Sequence, residues 1–155
     1  MKNLLAKRVK KNNKGFTLVE LIIVIAIIAI LIVVLAPNYV RYVDRSRWSS
    51  DQNACETLLQ QVKTAIVEAQ NDGSDSLDGS TITVAKTADV DVTGKAKTDK
   101  NFNDSMDSAD KNWKKVRVKH KNKQALSEDS SGKTEEYNKY VITFSDGGAT
   151  GKWEN

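Results

Sequence analysis

Residues Lys14–Ile23 read KGFTLVELII and set one carboxylate, Glu20, at the head of an apolar run that continues without a charge to Ala36. A charge on a bilayer-embedded helix is costly even on lenient insertion scales, so residues of this kind usually face a partner and have a function. What that partner is decides how the whole chain is read.

The run from Phe16 to Ala36 covers 21 residues. At about 1.5 Å per residue it makes about 31 Å of helix, close to the hydrocarbon thickness of a bilayer. Ahead of it, Lys2, Lys7, Arg8, Lys10, Lys11 and Lys14 are basic and no residue is acidic. Such a cluster stays cytoplasmic while the remainder is exported. An ordinary secretory signal peptide fits poorly, because its shorter apolar core ends in a small-residue processing site. Here the run passes through Leu35-Ala36-Pro37 into more helix-like sequence.

The full chain has 24 Lys plus Arg against 20 Asp plus Glu, a net charge of +4. Six of the positive charges lie in residues 1–15, so the rest carries 18 against 20 and is slightly acidic. The basic balance is therefore a property of the leading segment and gives no argument for a nucleic-acid partner.

Beyond the span, Cys55, Leu58, Leu59, Val62, Ala65, Ile66 and Ala69 recur at three- and four-residue steps, the period of an amphipathic helix. Asn71-Asp72-Gly73 is a plausible stop, so one helix of about 56 residues is expected from Phe16 onward, far longer than a globular mean. Pro37 lacks the amide that would reach the Val33 carbonyl and crowds that turn, so it marks either a kink or a break between anchor and domain. No Gly- or Ser-rich linker follows it, which favours a kink.

From Gly73 to about Lys111 the composition is that of a loop region, with STITVAKT and ADVDVTG as weak strand candidates. WKKVRVKHK is expected as a strand with Val116 and Val118 on its apolar face. YNKYVITFS places Tyr140, Ile142 and Phe144 on one face, Asp146-Gly147-Gly148 supplies a turn, and ATGKWEN returns with Ala149, Gly151 and Trp153 on one side. The expected architecture is α+β: a long N-terminal helix, kinked near Pro37, packed near Leu58–Ala69 against a small antiparallel sheet.

The stretch KGFTLVELIIVIAIIAILIVVLAP, followed by PNYVRYVDRSR, resembles the leader junction and helix start of type IV pilins over about a quarter of the chain. The resemblance implies a prepilin with a class III signal peptide: residues 1–15 a cleaved basic leader, 16–37 the transmembrane and filament-core half of the helix, 38–71 its amphipathic half, and 72–155 the head. It also implies that a prepilin peptidase and N-methyltransferase cuts between Gly15 and Phe16 and methylates the Phe16 amine. Glu20 then answers that amine in a neighbouring subunit and sets assembly register, while Pro37 marks the stretch that loosens on assembly. The implied partners are further copies of the chain in a helical homopolymer, an assembly ATPase and a membrane platform protein. The membrane holds the subunit beforehand, N-terminus cytoplasmic and head outside; the destination is a cell-surface pilus serving adhesion, motility or biofilm formation. Two other readings stay open. One is a pseudopilin of a type II secretion system or a competence filament. The other is a single-pass anchored binding domain, in which Glu20 merely snorkels to headgroups and Pro37 is a simple break.

The residues suggest no enzyme. A single His, His120, and a single Cys, Cys55, lie on segments of different type, and there is no phosphate loop, nucleophile motif or metal-ligand pair, so no catalytic residue and no cofactor is expected. Cys55 reads as a small buried residue and His120 as a rim residue. A lone Cys forms no internal disulfide, which departs from many Gram-negative pilins and suits the Gram-positive ones.

Four further features invite attention. Lys115, Arg117, Lys119, Lys121 and Lys123 would share one face of the expected strand, as a DNA or anionic-surface patch or, more simply, a solvated face. Tyr39, Tyr42 and Trp48 follow the span as aromatics near the membrane boundary. Asp72, Asp75 and Asp78-Gly79 lack EF-hand spacing, so no metal is expected there. Asn103-Asp104-Ser105 is a sequon, weak evidence in a bacterial chain.

Overall fold

The structure is a computed structural model, and the residues described are 15–120 and 137–154. The chain divides into two units, Met1–Tyr39 and Val40–Asn155. Helix α1 spans Leu18–Asn71, contributes to both units and has Pro37 inside it. In the first unit its apolar side chains are exposed all round, with Ile22 at 51% and Leu35 at 59%, and by length and composition α1 can cross a membrane.

In the second unit α1 buries Asp44, Asp51, Cys55, Leu58, Val62, Ala65, Ile66 and Ala69. These follow the helical period, so one stripe faces inward. Opposite lie strands β1 (Thr81–Ala85), β2 (Asp91–Thr93), β3 (Lys139–Ser145) and β4 (Gly148–Glu154), all antiparallel in the order β2-β1-β3-β4. Ile82, Val84, Tyr140, Ile142 and Phe144 project from one sheet face and join the helix stripe in a single core. Each fully buried large apolar side chain contributes about 1.5–3 kcal/mol. The β3–β4 turn places Asp146 at φ 51° and Gly147 at φ 69°, the paired left-handed conformation that a two-residue hairpin of matching twist requires.

Two expectations fail here. The loop region contains a helix, α2 (Lys100–Ala109), started by Asp99, whose carboxylate accepts the Phe102 N–H at 2.8 Å, and anchored by buried Phe102 and Met106 one turn apart. The segment expected as a strand around Val116 instead opens with a short 3-10 turn, Trp113–Lys115, and has no ladder partner through His120. The reason is topological: β1 already has β2 on one side and β3 on the other, leaving one bond, from Val118 N–H to the Ala85 carbonyl at 3.2 Å. The next two amides, of Lys119 and His120, donate to the Asp51 carboxylate instead.

Candidate functional site

Gly15, Phe16 and Thr17 precede the first turn of α1. Phe16 is 93% exposed, and nothing among the described residues lies within 4 Å of a Cβ placed on Gly15. Thr17 and Glu20 form a reciprocal cap. The Thr17 N–H and hydroxyl each donate to Glu20 Oε2 at 2.8 Å, and the Glu20 N–H donates to the Thr17 hydroxyl at 3.3 Å. This is the S/T-x-x-E capping box, a local signal legible in Thr17-Leu18-Val19-Glu20 beside the readings of Glu20 as a subunit contact or a snorkelling carboxylate. Oε1 makes no hydrogen bond among the described residues. The carboxylate can therefore hold the helix start and accept a second donor at once.

In the head, the unforeseen centre is Asp51 and His120, each 2% exposed. Asp51 Oδ2 accepts the Lys119 and His120 amides at 2.8 and 2.9 Å and lies 2.9 Å from His120 Nδ1; Nε2 lies 2.7 Å from the Tyr137 carbonyl. His120 is thus buried rather than a rim residue. The available clue was Asp51 itself, four residues before Cys55 and so on the buried stripe. Trp48, one of the aromatics after the span, packs in the head: its ring lies 4.9 Å from that of His120 at 87° and 4.5 Å from that of Trp153 at 48°.

The basic set is not brought together on one strand face. Lys115, Arg117 and Lys119 are exposed, Arg117 pairs with Asp89 at 2.5 Å, and Lys121 and Lys123 lie outside the described residues. In the acidic loop, Asp78 serves the β3–β4 turn; the Ser76 hydroxyl and the Gly147 amide beside it hold its carboxyl below the usual range. The sequon residue Asn103 has its side-chain amide committed to the carbonyls of Asp99 and Ala96, at 2.6 and 3.1 Å. Burial first, then the nearby Asp51 and Glu56 carboxylates, push the Cys55 thiol up to about 12.

Residues 10–36 match the model of the prokaryotic N-terminal methylation motif. The chain is 38% identical over 60 residues to prepilin peptidase-dependent protein A of Clostridium perfringens, covering 38% of this chain and 43% of that protein. It is 36% identical over 64 residues to the type IV major fimbrial protein FimA of Dichelobacter nodosus, 41% of each chain. It is 36% identical over 61 residues to a ComG operon protein 3 homolog of Bacillus licheniformis, 39% of this chain and 59% of the relative. The matches thus span about two-fifths to three-fifths of these relatives' lengths. No solved structure matches the chain. Proteins of the pilin family are structural rather than enzymatic. With its capped, apolar α1 and its helix-on-sheet head, the chain bears the N-terminal methylation motif and is similar in its N-terminal part to prepilin-type proteins and type IV pilins.

Proposed function

We propose that the chain matures by cleavage after Gly15 and methylation of Phe16, and that the mature subunit, a major pilin, polymerises into a type IV pilus. The observation that carries this reading is the position of Glu20, beside an exposed Gly15–Phe16 bond and at the start of a helix apolar on every side. Cleavage creates an ammonium at the positive end of the helix dipole, where a carboxylate is the stabilising neighbour. Glu20 is one turn away within the chain and, in a bundle, faces the Phe16 amine of the next subunit. A buried pair of this kind adds little net stability but penalises wrong register.

On this reading residues 1–15 are the removed leader, 16–37 pass from the bilayer into the filament core, 38–71 support the head and 72–155 form it, with Pro37 the stretch that yields on assembly. The N-terminus is cytoplasmic and the head external before assembly. A head-to-tail contact that does not close gives a helical filament. The further partners are the peptidase and N-methyltransferase, an ATPase and a membrane platform, and the fibre serves adhesion, motility or biofilm formation. The lone Cys55 suits the Gram-positive branch. Similarity to a ComG operon protein homolog supports a second reading, a competence filament subunit built by the same chemistry.

Glu20→Ala tests the proposal. Membrane insertion is expected to persist while sheared surface filaments fall to a small fraction, counted by electron microscopy; filament yield equal to the parent would overturn the register role.

A further inference from the structure

Between α1 and β4 the head carries a cleft of about 470 Å³ that no role above uses. We propose that this cleft is a saccharide-binding site. Its floor is aromatic. Trp153 lies 4.5 Å from Trp48 and 5.0 Å from Tyr140, and Trp48 lies nearly parallel to Tyr137 at 9°. Trp48 and Trp153 are half-buried, and both line the cleft.

The platform is held rigidly. The rings of His120 and Trp48 meet at 87°, and His120 is itself held by the buried Asp51 carboxylate. A recognition surface held in place by a buried supporting contact loses little entropy when a ligand docks.

Polar groups stand around the rings. Gln52 and Glu56 follow Trp48 by one and two turns of α1, and Lys152 comes from β4. Among the described residues neither Glu56 nor Lys152 is in an ion pair. Among the described lining residues one acid and one base offset each other, which favours a neutral ligand over an ionic one. The ammonium of Lys152 at the rim disfavours a cation on the ring faces, and a nucleic-acid groove would need a positive track. What fits is a neutral, hydroxyl-rich ligand with flat apolar faces: rings stack on the C–H face of a pyranose, while the amide, carboxylate and ammonium bond its hydroxyls.

The full-length chain in detergent micelles, labelled with ¹⁵N, is titrated with N,N′-diacetylchitobiose and with cellobiose. The chain has three Trp residues, and Trp113, fully buried with its indole N–H on Asp107 at 2.9 Å, is an internal control. Saturable movement of the Trp48 and Trp153 indole signals by at least one of the sugars, with Trp113 still, is the expected result. Glu56→Gln should weaken that response about tenfold. Trp153→Ala should abolish it, and if that variant unfolds, Gln52→Ala at the rim supplies the same test. No movement of either indole at the solubility limit of both sugars would overturn the proposal. So would equal movement of Trp113, or a response to tetramethylammonium in place of the sugars.

Discussion

Asp51 and His120, 69 positions apart in the chain, meet at 2.9 Å between Oδ2 and Nδ1, and the same oxygen holds the Lys119 and His120 amides. One carboxylate on α1 thereby fastens a segment that, among the described residues, has a single backbone bond to the sheet, and the His120 ring carries the contact on to the Tyr137 carbonyl.

Removing that carboxylate leaves the buried His120 amide, the partly buried Lys119 amide and a buried ring nitrogen without their partner. Asp51→Ala is expected to destabilise the head by about 3–5 kcal/mol. Urea denaturation of the full-length protein in micelles, followed by tryptophan fluorescence, measures it; a loss below about 1 kcal/mol, the net worth of an ordinary hydrogen bond, would show the contact to be incidental.

At the other end of α1, the Thr17 hydroxyl both donates to Glu20 and accepts its amide. Thr17→Ala is expected to cost about 1 kcal/mol at the helix start, seen as roughly fivefold faster hydrogen exchange of the first-turn amides. Unchanged exchange would mean that the capping box does not hold the turn.

Cys55 is 1% exposed, and its folded-state thiol ionises only near about 12. It should resist iodoacetamide at pH 8 in the folded protein and react fully in denaturant. The sign of the pH effect follows from the raised value. Stability is complete below the unfolded thiol's range, about 8.5. It declines as pH rises from there toward the folded value, because the unfolded chain releases the proton first. Comparison of urea midpoints at pH 8 and pH 10.5 should show a decline that Cys55→Ala reduces; an identical decline in that variant would assign the effect to other groups.

Gly94 has φ 74°, and a Cβ there would lie 2.8 Å from the Ser80 backbone. Ser80 is fully buried and accepts the Ala96 amide at 3.0 Å, so it cannot give way easily. Gly94→Ala is expected to cost about 1–3 kcal/mol in the same denaturation measurement; no change would place the strain elsewhere.

Much of the fold was legible because burial repeats at fixed periods. The Cys55–Ala69 stripe, the Tyr140-Ile142-Phe144 face and the Asp146-Gly147 turn carry their own signals, and each appears in the structure as expected. Val118 and His120 were misassigned to a strand because alternation records which side faces inward, not where the backbone bonds go. α2 was missed because its ten residues bury only Phe102 and Met106 amid a polar composition. The Asp51–His120 contact joins residues 69 positions apart, so no local pattern encodes it. At the N-terminal site the motif was fully visible, whereas the double duty of Glu20 as helix cap and open acceptor needed the side-chain geometry.

The most direct test of maturation into a surface fibre is amino-terminal mass spectrometry of protein sheared from the cell surface. The expected first peptide begins at Phe16, is heavier by one methyl group and is abundant in the sheared fraction. A chain that still carries Met1–Gly15 and is found only in membranes would contradict cleavage, export and polymerisation together.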